Sequence, residues 1–103
     1  MITELEFNPS QAKNKRFAVI ITDSNGKQKT INFGRPGANT FFDGADDKTR
    51  LNYIARHKVN EDWADPYTAG YWSRWILWEK RKSETLRFLK DKLKGVKMKA
   101  TTF

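Results

Sequence analysis

The chain has no cysteine and one histidine, His57. Without thiols there are no disulfides, zinc fingers or cysteine nucleophiles, and a single imidazole excludes a multi-histidine metal centre. Proline and glycine are sparse, three and six of 103 residues, so no linker or low-complexity tract divides the chain. No apolar run approaches the roughly 20 residues that span a bilayer. Met1 to Phe7 lacks the basic segment and apolar stretch of a secretory signal. The expectation is one domain, 1–103, neither secreted nor transmembrane.

Acidic residues are also scarce, but only in the last third. Residues 1–68 hold ten basic and nine acidic side chains, a net of +1, whereas residues 69–103 hold ten and three, a net of +7. Such a concentrated positive field favours polyanions: nucleic acid, an anionic membrane or an acidic protein surface. The plain alternative is a solvated, lysine-rich helix.

The hydrophobic pattern predicts an α+β fold, with a small antiparallel sheet packed against two or three helices. Leu5 and Phe7 alternate with Glu4 and Glu6, the period of a half-buried strand. Residues 16–33 read as a β-hairpin around Asn25-Gly26. As a two-residue loop, that pair would set Ile20 opposite Ile31 and Ala18 opposite Phe33. A helix is expected over about 47–59, capped by Asp46 or Asp43, with Leu51, Ile54, Ala55 and Lys58 on one face. Asp65-Pro66 reads as the start of a second helix running to about Trp78 or Glu79. Ser83 would cap a third, with Leu86, Leu89 and Leu93 as its apolar stripe and Gly95 as its stop. Residues 96–103 are either a frayed tail or an added strand. The expected core comprises Val19, Ile20, Ile31, Phe33, Leu51, Ile54, Trp75 and Leu89.

All four tryptophans fall between Trp63 and Trp78. Aromatics stack on unpaired bases, but they also supply the area that a small, leucine-poor domain needs for its core. The core role accounts for most of them, with Trp72 or Trp75 facing inward. The segments Lys29-Thr30-Ile31-Asn32-Phe33-Gly34, Arg56-His57 with Asn60-Glu61 and Trp63, and Thr68-Ala69-Gly70-Tyr71-Trp72-Ser73-Arg74-Trp75-Ile76-Leu77-Trp78 resemble an uncharacterised family. That family consists of small basic proteins of giant DNA viruses and large tailed phages, and the likeness covers about residues 16–82. The chain departs from its pattern at Asn39-Thr40-Phe41-Phe42 and at Glu79-Lys80-Arg81-Lys82. The resemblance implies a viral origin and carries no activity with it.

His57 and Glu61, four apart, could hold a metal or pair a base with an acid. Two ligands are too few for a metal site, and a histidine near a helix C-terminus has a structural explanation. Gly34-Arg35-Pro36-Gly37 lacks the Gly-Lys-Ser/Thr of a nucleotide-binding loop and reads as a turn. Asp43, Asp46 and Asp47 are explained by helix capping. No enzyme, metal or cofactor signature emerges. The expected function is therefore non-enzymatic, sequence-tolerant nucleic-acid binding by a viral protein, in the host cytoplasm or nucleus or in the virion. Phosphate contacts to DNA or RNA would come from Lys80, Arg81, Lys82, Arg87, Lys90 and Lys94. Arg74 would contribute if it is not paired internally, and Arg35 and Arg56 come next in line. The rival is an interaction module for an acidic protein, and a membrane surface ranks behind both.

Overall fold

The computed structural model describes all 103 residues. Three strands, β1 (Ile2–Pro9), β2 (Phe17–Asp23) and β3 (Gln28–Phe33), lead into α1 (Asp47–His57). Next come a short α2 (Ala69–Trp72), which passes directly into a π-helical turn (Ser73–Leu77), and then α3 (Lys82–Lys92) and β4 (Lys97–Ala100). The sheet order is β3-β2-β1-β4. β1 and β3 run antiparallel to β2, but β4 lies parallel to β1. The α+β class holds, and the sheet is mixed rather than wholly antiparallel because the C-terminal segment adds a strand. No helix is long and apolar enough to cross a membrane.

The hairpin register differs by one residue from that of a two-residue loop. Val19 opposes Ile31 and Phe17 opposes Phe33. Asp23 is the cause. Its carboxylate accepts from the Asn25 and Lys27 amides at 2.8 and 3.0 Å, and its own amide donates to the Lys27 carbonyl. The loop therefore spans three residues, closed by Gly26 at φ +80°. A one-residue slip exchanges the faces of a strand. Phe17, Val19 and Ile21 consequently turn inward with Leu5, Phe7, Ile31 and Phe33, while Ile20 turns outward.

One face of the sheet carries the core, and the helical layer covers it with Phe42, Tyr71, Trp72, Ile76, Leu77 and Leu89. Trp72 is fully buried, its indole N–H donating to the Pro66 carbonyl at 2.7 Å and its ring edge-on to Phe7. The π-helical turn decides which aromatic faces in. Its wider period places Tyr71 and Ile76, and Trp72 and Leu77, in line at five-residue spacing. Trp75, expected in the core, is left half-buried.

Helix α1 begins as expected, with Asp46 accepting from the Thr49 amide at 2.9 Å. Its inner face is offset by one residue from the apolar pattern. Arg50, Tyr53, Ile54 and His57 face the protein, whereas Leu51 is 59% exposed. The ring of Tyr53 stacking on Trp78 fixes this rotation. Asp65-Pro66 forms a turn, and the second helix starts later, at Ala69, with Thr68 as its cap. Ser83 lies inside the first turn of α3, for which Arg81 is the cap position without a side-chain bond.

Gly34 sits at φ +83°, and a Cβ there would come within 3.0 Å of Leu77 and 3.2 Å of Arg16. Both backbone conformation and space demand glycine at this corner. Beside it, Arg16 and Asp43 form a two-pronged pair at 2.6 Å, holding the Asp43 carboxyl down at about 2; partial burial opposes the shift and bonds from Thr40 support it.

The packing predicts a contrast between two apolar truncations. Trp72→Ala should cost about 3–5 kcal/mol of unfolding free energy. Leu51→Ala should change it by less than about 0.5 kcal/mol. Denaturant unfolding of the two variants measures both.

Candidate functional site

The ten cations of the last third divide into two sets. Arg74 is only 8% exposed. Its guanidinium lies 5.2 Å from the Trp63 ring and 4.4 Å from Trp75, and Nη1 donates to Glu79 Oε1 at 2.8 Å. Arg81 lies 3.8 Å over the Phe41 ring and donates to the carbonyls of Phe41 and Ala45. Lys80 and Lys92 cover Phe88 and Trp75, at 6.0 and 3.9 Å. Arg74 is buried and Arg81 is half-buried with Nη1 held by two backbone carbonyls, so both present less to a phosphate than the exposed cations of α3. The partner of Arg74 is Glu79, not the acidic residues of the preceding loop.

Lys82, Arg87 and Lys90 on α3 are exposed, as is Lys94 in the turn after it, and none forms an ion pair. Because α3 ends at Lys92, Lys94 continues the stripe from the turn rather than from the helix. Lys97 and Lys99 are exposed too, but they are register partners of Glu4 and Glu6 on the outer sheet face. The α3 stripe is the least compensated positive surface of the C-terminal third.

Glu79, in the segment before α3, joins two elements. Its Oε1 accepts from Arg50 at 2.7 Å and from Arg74 at 2.8 Å, so one carboxylate oxygen serves α1 and the π-helical turn together. Desolvation pushes its pKa up, but the two guanidinium bonds outweigh that and leave it lowered. The Arg74 Nε–H is buried without a partner.

The largest concavity, a cleft of about 750 Å3, opens between the C-terminal half of α1, the α2 and π-helical segment, and the loops at Asn14-Lys15 and Gly34-Pro36. Its aromatic wall is a stack in which Tyr53 lies between Trp78 (centroids 4.4 Å, interplanar 9°) and His57 (4.1 Å, 23°). Burial, reinforced by the Glu61 charge, raises the Tyr53 pKa, so its hydroxyl stays protonated. Helix α1 ends at His57, yet the following turn still brings Glu61 Oε2 to 3.0 Å from His57 Nδ1. The other oxygen of Glu61 accepts from the Trp63 indole at 2.8 Å. Gly70 permits this approach, since a Cβ there would lie 3.0 Å from the carboxylate. No third His, Cys, Asp or Glu joins the pair as a metal-ligating group.

Arg35 and Arg56, 21 positions apart, both line this cleft, as does Lys15. Both arginines stand out in the sequence as candidate phosphate contacts, but their convergence is a product of the fold. Nothing in the local pattern around Lys15 marked it, because it sits in an irregular loop.

Fold and site together describe a basic α+β domain with one exposed cationic helix and one polar cleft. The chain belongs to a family of unknown function, DUF5754, whose model matches residues 5–57. It is also 40% identical over 55 residues to an uncharacterised protein of Acanthamoeba polyphaga mimivirus, covering 53% of this chain and 55% of that protein. The match thus spans about half the length of the curated relative. The family model covers most of β1, β2, β3, the β3–α1 loop and α1, and it ends before the tryptophan-rich segment and β4. No solved structure matches the chain.

The shared carboxylate generates a prediction. Glu79→Gln leaves Arg74 buried without a counter-charge and should cost about 3 kcal/mol at neutral pH. Because the folded pKa is depressed, the contribution is present above the ordinary glutamate value and disappears as pH falls through the lowered one. The difference between variant and wild type should therefore shrink in acid, as measured by denaturant unfolding at pH 7 and pH 3.

Proposed function

We propose that this is a non-enzymatic viral protein that binds nucleic acid without sequence preference, in the infected cell or in the virion. The observation that carries this reading is the α3 stripe of Arg87, Lys90 and Lys94, with Lys82 in the helix's first turn, all exposed and free of ion pairs. Such unpaired cations neutralise phosphates and release condensed counterions, which requires no base contacts. The outer sheet face is a poor alternative. There Glu4 and Glu6 stand beside Lys97 and Lys99 and offset their charge, and the remaining residues, among them Asn8, Ile20, Thr22, Thr30 and Asn32, offer no aromatic platform for bases. The viral relative supports the origin.

Four phosphate contacts predict a log–log slope of affinity against salt of about −3 to −4. The triple variant Lys82→Gln, Arg87→Gln, Lys90→Gln should flatten that slope by about 2 to 3 and leave the unfolding midpoint unchanged. Titrations of unrelated DNA and RNA sequences at several salt concentrations read both quantities. Absence of binding at low salt would transfer the stripe to an acidic protein partner.

A further inference from the structure

The cleft beside α1 carries cations that neither the fold nor the α3 stripe explains. Arg56 stands in the last turn of α1, where a positive charge is favoured in any case. Lys15 and Arg35 have no such reason to be there. They come from two separate loops, line the same concavity, and take no part in any ion pair. The one carboxylate in the lining, Glu61, is already engaged by His57 and Trp63 and offers them no neutralisation. The cleft thus collects three positive charges without an ion-pair partner, an arrangement that favours an anion.

The aromatic wall narrows the class of anion. Both faces of Tyr53 are taken, by Trp78 and by His57. The outer rings of the stack, His57 and Trp78, are themselves lining residues, so a planar ligand extends the stack instead of inserting into it. Glu61 fixes the orientation of the imidazole through Nδ1 and leaves Nε2 as the nitrogen available to a ligand. A volume of about 750 Å3 exceeds what a bare phosphate fills and suits a molecule with a ring and a charged end.

We propose that this cleft binds a nucleoside phosphate, with the phosphate held by Lys15, Arg35 and Arg56 and the base laid against the end of the Trp78–Tyr53–His57 stack. The site is separate from the α3 stripe and does not depend on that surface binding nucleic acid.

Calorimetric titration of the full chain with AMP, inorganic phosphate and adenosine tests the proposal. AMP should bind saturably, at least about fivefold tighter than inorganic phosphate, the contribution expected from stacking one base. Adenosine should bind at least tenfold more weakly than AMP. The double variant Arg35→Gln, Arg56→Gln should lose at least tenfold in AMP affinity at an unchanged unfolding midpoint, since both side chains are exposed. Lys15→Gln alone should lose about threefold, which covers a double variant that folds poorly. Neutralising Lys82, Arg87 and Lys90 should leave AMP affinity as it was, whatever it does to nucleic acid. The proposal is overturned by any of three results: no saturable AMP binding, AMP binding no tighter than inorganic phosphate, or affinity that survives both cleft variants.

Discussion

Glu79 holds together parts of the molecule that hydrophobic packing leaves loosely connected. Helix α1 contributes nothing to the buried core cluster, and its leucine faces water. It is fastened instead by Arg50, which donates to Glu79 and to the Trp78 carbonyl, and by Tyr53 lying flat on Trp78. The same carboxylate neutralises Arg74 from the π-helical turn. Two guanidinium groups near aromatic rings would repel each other without it. The position of α1 against the second helical segment, along which the cleft opens, rests on this anion together with the Tyr53–Trp78 stack and the Arg50 bond to the Trp78 carbonyl.

The high positive charge is therefore not a single property. Some cations are structural cement, with buried Arg74 against two indoles, half-buried Arg81 on Phe41 and exposed Lys92 over Trp75, where cation–π contacts add to the packing of the rings. Others, on α3 and in the cleft, have no partner in the protein. A count of net charge cannot separate these populations, because the distinction lies in which rings and carbonyls the fold brings within reach.

What the sequence discloses follows the range of the interaction concerned. Elements set by neighbours were legible: the hairpin, and a helix start at Asp46 or Asp43, of which Asp46 is the cap. The C-terminal segment was open between a frayed tail and a strand, and α3 ends at Lys92, short of Gly95. Details that depend on one distant or competing side chain were not legible. Asp23 lengthens the turn and reverses the faces of the hairpin, Trp78 rotates α1 away from its leucine, and the π-helical turn exchanges Trp75 for Trp72. In the site, the His57–Glu61 spacing and the α3 stripe were visible as local patterns. The cleft was not, since Lys15, Arg35 and Arg56 belong to three segments joined only by tertiary structure.

Both edges of the sheet are open, and each carries lysine: Lys29 on β3, Lys97 and Lys99 on β4. An unpaired strand edge is a template for another chain, and two like-charged edges approaching each other must bury those ammonium groups against one another. The edge lysines thus guard against edge-to-edge self-association at high concentration. Their charge serves the protein even when no polyanion is near, because it keeps copies of the same molecule apart.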